Sequence, residues 1–313
     1  MFEYYHTKKH YHTLDYYLKE KYGKKVFKVS LNASFSCPNR DGTKGVGGCI
    51  FCSSKGSGDT AGDINDSLME QYDKISSRYE SKWKNAYKIV YFQAYSNTYG
   101  TIDKLKETFE PFIGKKDVIG MSIATRCDCI DEKIVAYLSK LRKNFKEFWV
   151  ELGLQSANAK TMKLLNLQYT FADFKKAVRL LNKANIDVIC HIIDGLPYET
   201  KQDQINTILK LNKLKIQGIK IHVLNILKDT KIATMYLNGK FVPQSMDEFI
   251  DVAVNQISYL NDDVIIHRIG ADSIDENRLY PTYVKEKLSL VDKIDNYLAD
   301  NDIFQGDLIE KWF

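Results

Sequence analysis

Proline is scarce in this 313-residue chain, only five in all, and no low-complexity tract accompanies it, which argues against long disordered arms. No apolar run approaches the length of a membrane-spanning helix, and the opening Met1-Phe2-Glu3-Tyr4-Tyr5-His6 lacks the apolar stretch of a secretory signal. No membrane partner is expected. Neither sign of charge dominates: 45 basic and 40 acidic residues leave a net +5, which permits an anionic partner without demanding one. Cysteine is also sparse, six in all, and nothing marks the chain as secreted, so the expected setting is reducing and cytoplasmic. The remainder, 44% hydrophobic and 27% charged, is ordinary for a globular protein, and the length allows two domains or one large α/β barrel.

Half of the cysteines sit in one stretch, Cys37-Pro-Asn-Arg-Asp-Gly-Thr-Lys-Gly-Val-Gly-Gly-Cys49-Ile-Phe-Cys52, spaced C-x11-C-x2-C. A Cys-x-x-Cys turn lets two thiolates converge, and the Gly-rich loop can bring Cys37 to the same centre. Three thiolates suit an iron–sulfur cluster that keeps one iron open, because a closed [4Fe–4S] site takes four cysteines. Structural zinc is the alternative, but it wants four ligands, and Cys127, Cys129, Cys190, His191 and His222 lie far along the chain. A disulfide would leave one of the three thiols unpaired.

Hydrophobic periodicity then alternates. Strands are expected at 26–31, 88–93, 118–123, 148–154, 188–193 and 218–224, and helices at 64–79, 102–113, 132–141, 171–185 and 202–214. Strands alternating with helices of this length mean right-handed crossovers and a parallel sheet. The fold class expected is α/β, a partial (β/α)6 barrel with a C-terminal α/β extension. Residues 1–24 form an N-terminal helical, basic and aromatic segment, 25–227 the barrel core, and 228–313 the extension, with helices at 232–237 and 246–260 and a strand at 264–269. In such a sheet the functional loops follow the C-terminal ends of the strands. The cysteine loop lies there, as do Gln93–Thr98, Ala124–Cys129, Gln155-Ser156 and Asp194–Pro197. In the first segment, Leu14, Tyr17, Leu18 and Tyr22 mark the apolar face of a helix, while Lys8, Lys9, His10 and Tyr11 could grip nucleic acid. Alternation along the strands leaves open whether Glu151 and His222 face the barrel or the helices.

A three-cysteine loop after the first strand of a βα repeat, with Phe51 just before the last cysteine, resembles the radical S-adenosylmethionine superfamily, here with the long first gap also found in relatives of the Elongator catalytic subunit. Phe35–Gly42, Phe92–Tyr99, Val150–Ser156, His191–Pro197 and Gly218–His222 together are similar to the YhcC/YtqA group over nearly the whole chain. The resemblance implies a [4Fe–4S] cluster on Cys37, Cys49 and Cys52, with S-adenosylmethionine on the fourth iron. It places Ser96 and Asn97 at the methionine end, Gln155 and His191 at methionine or ribose, and Phe51 by the adenine. It also implies an electron donor such as flavodoxin or ferredoxin. Members that are MnmL-like act on tRNA, removing the carboxymethyl group of 5-carboxymethylaminomethyluridine at the wobble position to leave 5-aminomethyluridine. That reading implies the anticodon arm of tRNA as partner, with Arg126, Lys220 or Arg268 meeting the substrate carboxylate.

The chain departs from the group's pattern at four places. Leu167 stands where relatives often carry an arginine, with Lys163 one turn earlier as a substitute; Tyr198 replaces a glycine, Asn225 a histidine and Cys127 a proline. Cys127 and Cys129 read as partly buried small hydrophobes, with a radical relay or a thiol site beside the cluster as the alternative. Two other functions compete: radical chemistry on a small-molecule or porphyrin-like substrate, and a non-catalytic cluster- or zinc-binding module that recognises RNA or protein.

Overall fold

The computed structural model describes residues 9–56, 58, 61–270, 277–283 and 287–309. Nine strands are β1 (Val26–Leu31), β2 (Tyr87–Phe92), β3 (Val118–Arg126), β4 (Glu147–Gln155), β5 (Asp187–Asp194), β6 (Gly218–Val223), β7 (Ile226–Leu227), β8 (Ile265–Ile269) and β9 (Arg278–Tyr280) among the described residues. The helices are α1 (Leu14–Tyr22), α2 (Leu68–Glu80), α3 (Ile102–Phe109), α4 (Glu132–Arg142), α5 (Ala159–Leu164), α6 (Phe171–Lys183), α7 (Lys201–Leu211), α8 (Lys231–Leu237), α9 (Met246–Tyr259) and α10 (Lys287–Asp300).

Seven strands form one sheet in the order β1-β2-β3-β4-β5-β6-β8, every neighbouring pair parallel. This is the parallel half-barrel of the expected α/β class. The segment beyond residue 228 supplies the seventh strand of the sheet, because Ile265 and Ile266 register against Gly218 and Ile219. Caps explain where helices begin. Ser67 and Glu70 form a capping box that starts α2 at Leu68, four residues later than periodicity suggests. Pro111 stops α3 early and leaves a 3₁₀ turn at Glu110–Phe112. The six-residue α5, capped by Asn158, is too short to show a period and went unforeseen.

The edge strands β1 and β8 do not pair. The N-terminal segment bridges them: Thr13 pairs with Ile266, and α1 packs Leu18 onto Val26, Ile89, Ile119, Trp149 and Ile189 near the starts of their strands. Glu147, buried at the head of β4, accepts Tyr22 Oη at 2.5 Å and pairs with Lys21 Nζ at 2.7 Å. Thus α1 seals the N-terminal end of the barrel and leaves the other end for the site. Lys9 pairs with Asp295, His10 stacks on Phe304 at 4.0 Å, and Tyr11 is buried. These residues belong to the sealed end and not to the barrel mouth; Lys8 lies outside the described residues.

Leu18→Ala should cost about 2–5 kcal/mol of unfolding free energy with an unchanged denaturant slope, measured by urea titration. A loss below about 0.5 kcal/mol would mean that α1 does not seal the barrel.

Candidate active site

The cysteine loop leaves the C-terminal end of β1 and doubles back on itself. Asp41 pairs antiparallel with Val46, and Gly48 N donates to Asn39 O at 2.8 Å, so the intervening residues project as a small hairpin. Buried Asn39 donates through Nδ2 to Asn166 O at 2.6 Å, while Asn166 Nδ2 donates to Gly48 O at 2.8 Å. The eleven-residue gap is thereby closed, and Cys37, Cys49 and Cys52 line one cavity of about 300 Å³. Cys127, Cys129 and Cys190 are not among its lining residues. Burial, followed by the Cys52 charge, pushes the Cys49 thiol up to about 12, so ligation there requires a cation that favours the thiolate. Among the described residues no three Cys, His, Asp or Glu side chains converge as ligands of one ion.

Below them, polar side chains fill the barrel lumen around Glu151, which is 1% exposed. Its Oε1 accepts Lys28 Nζ at 2.7 Å and Ser122 Oγ at 2.6 Å. Its Oε2 accepts His191 Nε2 at 2.7 Å and the Lys220 ammonium. Side chains from β1, β3, β5 and β6 thus fill the hydrogen-bonding capacity of one carboxylate on β4. His222 Nε2 lies 3.4 Å from His191 Nδ1, and Lys220 Nζ lies 3.3 Å from Tyr91 Oη and 4.5 Å from its ring centre. Both Glu151 and His222 therefore face the lumen.

The environment orders the charges. Burial alone would raise the Glu151 carboxyl, but Lys220, Lys28 and His191 hold it well below its usual 4.5. Burial pulls Lys220 down to about 7 against the attraction of Glu151, and pulls His191 down to about 4 with the help of Lys220. A neutral His191 can then donate from Nε2 to Glu151 and accept at Nδ1 from His222.

Phe51, Ser96, Gln155, His191, Arg126, Lys220 and Arg268 all line the cavity, and Asn97 does not. Asn97 is fully buried and braces the ends of β2 and β3, its Nδ2 donating to Phe92 O, Ala94 O and Ala124 O. Arg126 is already engaged: Nε and Nη2 each lie 2.9 Å from Asp128, and Nη2 donates to Leu167 O at 2.7 Å. Gln155 is turned into the cavity by a bulge against β5 and takes a left-handed φ of 69°. Gly153 leaves it room, since a Cβ there would stand 2.6 Å from Gln155 Nε2. Lys163 is exposed and does not line the cavity; Tyr198 is exposed, its Oη donating to Lys240 O at 3.1 Å.

Residues 37–211 match the profile of the radical SAM superfamily, and residues 216–300 match the radical SAM C-terminal domain. The chain belongs to the radical SAM superfamily. It is 40% identical over 310 residues to the uncharacterized protein YtqA of Bacillus subtilis, covering 99% of this chain and 96% of that one. A tRNA uridine(34) acetyltransferase of Methanocaldococcus infernus is 27% identical over 152 residues, 48% of this chain and 27% of that one. The fold is similar to archaeal Methanocaldococcus infernus Elp3 at a TM-score of 0.67 and 17% identity, covering 90% of this chain and 64% of that one.

Radical SAM enzymes bind a [4Fe–4S] cluster and S-adenosylmethionine, and the cavity suits both. Besides the thiols, Ser96 and Asn225 line it, and their Oγ and Oδ1, like Asn97 Oδ1, are buried without a hydrogen-bond partner in the protein. Such atoms call for a polar ligand. Arg40, Lys28, Ser122, Tyr91 and Asn225 were not picked out from the sequence as members of this site. The available signal was polar residues interrupting otherwise apolar strands, among them Lys28, Ser122, Glu151, His191, Lys220 and Arg268.

The linkage has a definite sign. An unfolded chain protonates His191 near 6.5 and the folded one only near 4, so between these values the unfolded state binds more protons. Stability contributed by the neutral imidazole is lost as pH falls from 6.5 toward 4, and that of Glu151 as pH falls below 4.5. Metal-free protein should lose roughly 3 kcal/mol through His191 alone across this window. Urea midpoints should drop on acidification, with a smaller slope in His191→Gln; equal midpoints at pH 7 and 4.5 would contradict a buried neutral histidine.

Proposed function

We propose that the protein cleaves S-adenosylmethionine at a [4Fe–4S] cluster held by Cys37, Cys49 and Cys52, and acts on the tRNA wobble uridine. The reaction would remove the carboxymethyl group of 5-carboxymethylaminomethyluridine to give 5-aminomethyluridine. The observation that carries this reading is the charge of the cavity wall: Arg40, Arg126, Lys220, Arg268 and Arg278 line it against one carboxylate, Glu151. An anionic substrate suits such a wall. The similarity of half the chain to a tRNA uridine(34) acetyltransferase supports a wobble nucleotide as that substrate.

When bound, the cluster and S-adenosylmethionine supply a 5′-deoxyadenosyl radical able to abstract hydrogen from carbon. The chain's own residues bind and orient. Ser96 Oγ and Asn225 Oδ1 offer unfilled hydrogen-bonding positions to the cofactor, with Gln155 and His191 beside them and Phe51 packing near the adenine. Arg126 is paired with Asp128 and Lys220 with Glu151; Lys220 and Arg268, partners in register on β6 and β8, would meet the substrate carboxylate from the lumen wall. A wobble base splayed from its loop could enter without duplex opening. Exposed Lys55 and Lys231 near the mouth would meet phosphates of the anticodon arm, and a one-electron donor such as flavodoxin or ferredoxin would reduce the cluster.

Anaerobically purified protein should carry about four irons per chain, and Cys→Ala at 37, 49 or 52 should abolish them. Deleting the gene in a host that makes 5-aminomethyl-type uridines should cause the carboxymethylaminomethyl nucleoside to accumulate in tRNA. An unchanged nucleoside profile in a host without a redundant enzyme would turn the reading toward a small-molecule substrate. Stoichiometric zinc in place of iron would favour the binding module.

A further inference from the structure

The long first gap of the cysteine motif is fastened by a side chain within it. Arg40 reaches from the base of the hairpin to the far end of the loop, where Nη2 donates to Cys52 O at 2.9 Å and also to Ser53 O. Its guanidinium lies 5.8 Å from the ring centre of Tyr95. That ring is fixed in turn, because Tyr95 Oη donates to Ser54 O and Tyr95 N to Gly56 O at 2.9 Å. Gly48, at φ 76°, makes the space: a Cβ there would stand 3.0 Å from Arg40 Nε. The guanidinium is thereby held on the cavity wall that also carries the three thiols. Burial works against its charge, and Cys52, then Tyr95 and Cys37, work for it. The cation is thus fixed on the backbone of Cys52 itself, on the wall that carries all three thiols.

We propose that Arg40 is a positioning residue of the cluster site that closes the long gap and, through its charge, raises the reduction potential of the cluster. The proposal rests on Cys37, Cys49 and Cys52 being the ligands. Reduction takes one electron from a low-potential carrier or from dithionite and adds one negative charge to the cluster; a cation held on the Cys52 backbone, at the same cavity wall, stabilises the reduced state. Lysine at position 40 keeps the charge but loses the planar guanidinium held over Tyr95, and glutamine loses the charge.

The test is a redox titration of anaerobically reconstituted wild type, Arg40→Lys and Arg40→Gln, without S-adenosylmethionine or substrate, read as the electron paramagnetic resonance signal of the reduced cluster against solution potential. In Arg40→Gln the ratio of reduced to oxidised cluster at a fixed potential should fall about tenfold, which is 59 mV for a one-electron couple. In Arg40→Lys it should stay within about threefold of wild type, a shift of under about 30 mV. A wild-type ratio in Arg40→Gln, or equal shifts in both variants, overturns the electrostatic role. Should Arg40→Gln lose its iron, Arg40→Lys decides: iron retained with a near wild-type ratio supports the proposal, and iron lost there too overturns it. Failure of the wild type itself to hold a cluster would instead overturn the ligand assignment on which the proposal rests.

Discussion

One buried carboxylate organises the interior of this half-barrel. Glu151 sits on the middle strand of the sheet and takes four donors, from β1, β3, β5 and β6. A carboxylate in that position would be prohibitively costly alone, and so would Lys220 beneath its shell of aromatic and charged neighbours. Each is tolerable because the other is there. The arrangement is demanding: it requires five strands in register, and it leaves the lumen with more positive than negative charge among its described lining residues. The same contacts that fix the strands therefore also set what the cavity can accept.

The two ends of the barrel are specialised. At the N-terminal end, α1 covers the first residues of the strands with Leu18 and fastens itself to Glu147 through Tyr22 and Lys21. At the other end, the thiols, Gln155, Ser96 and Asn225 line the cavity, the last two each with a buried oxygen that has no partner in the protein. The left-handed backbone of Gln155 and Tyr95 belongs to this same end, where unusual backbone is held in place by the surrounding packing.

Much of this was legible in the sequence because its signals are local. Alternating apolar runs gave the parallel sheet, and the C-x11-C-x2-C spacing pointed to three ligands for one cluster. Ser67, Thr170, Thr200 and Ser245 start their helices through capping boxes that can be read directly from the chain. What was not legible depends on register between distant strands. Whether Glu151 and His222 faced the lumen or the helices turns on pairings such as Ala124 with Glu151 and Ile193 with His222, which alternation within one strand does not determine. Asn97 has a second use that its strand-end motif did not reveal: its Nδ2 donates to backbone carbonyls that shape the mouth, while its Oδ1 is buried without a partner in the protein. The basic, aromatic N-terminus suggested an RNA grip, while its described residues are used in packing against β8 and the C-terminal segment.

The central claim is that the cavity presents a radical precursor to the carboxymethyl carbon of a modified wobble uridine. It is tested most directly by isotope transfer. Reconstituted protein would be given S-adenosylmethionine, a reductant and an anticodon stem-loop whose carboxymethyl CH₂ is fully deuterated, and the 5′-deoxyadenosine formed would be weighed by mass spectrometry. The account predicts 5′-deoxyadenosine carrying one deuterium, formed alongside 5-aminomethyluridine. 5′-Deoxyadenosine formed at the same rate with or without the stem-loop, and free of deuterium, would contradict it.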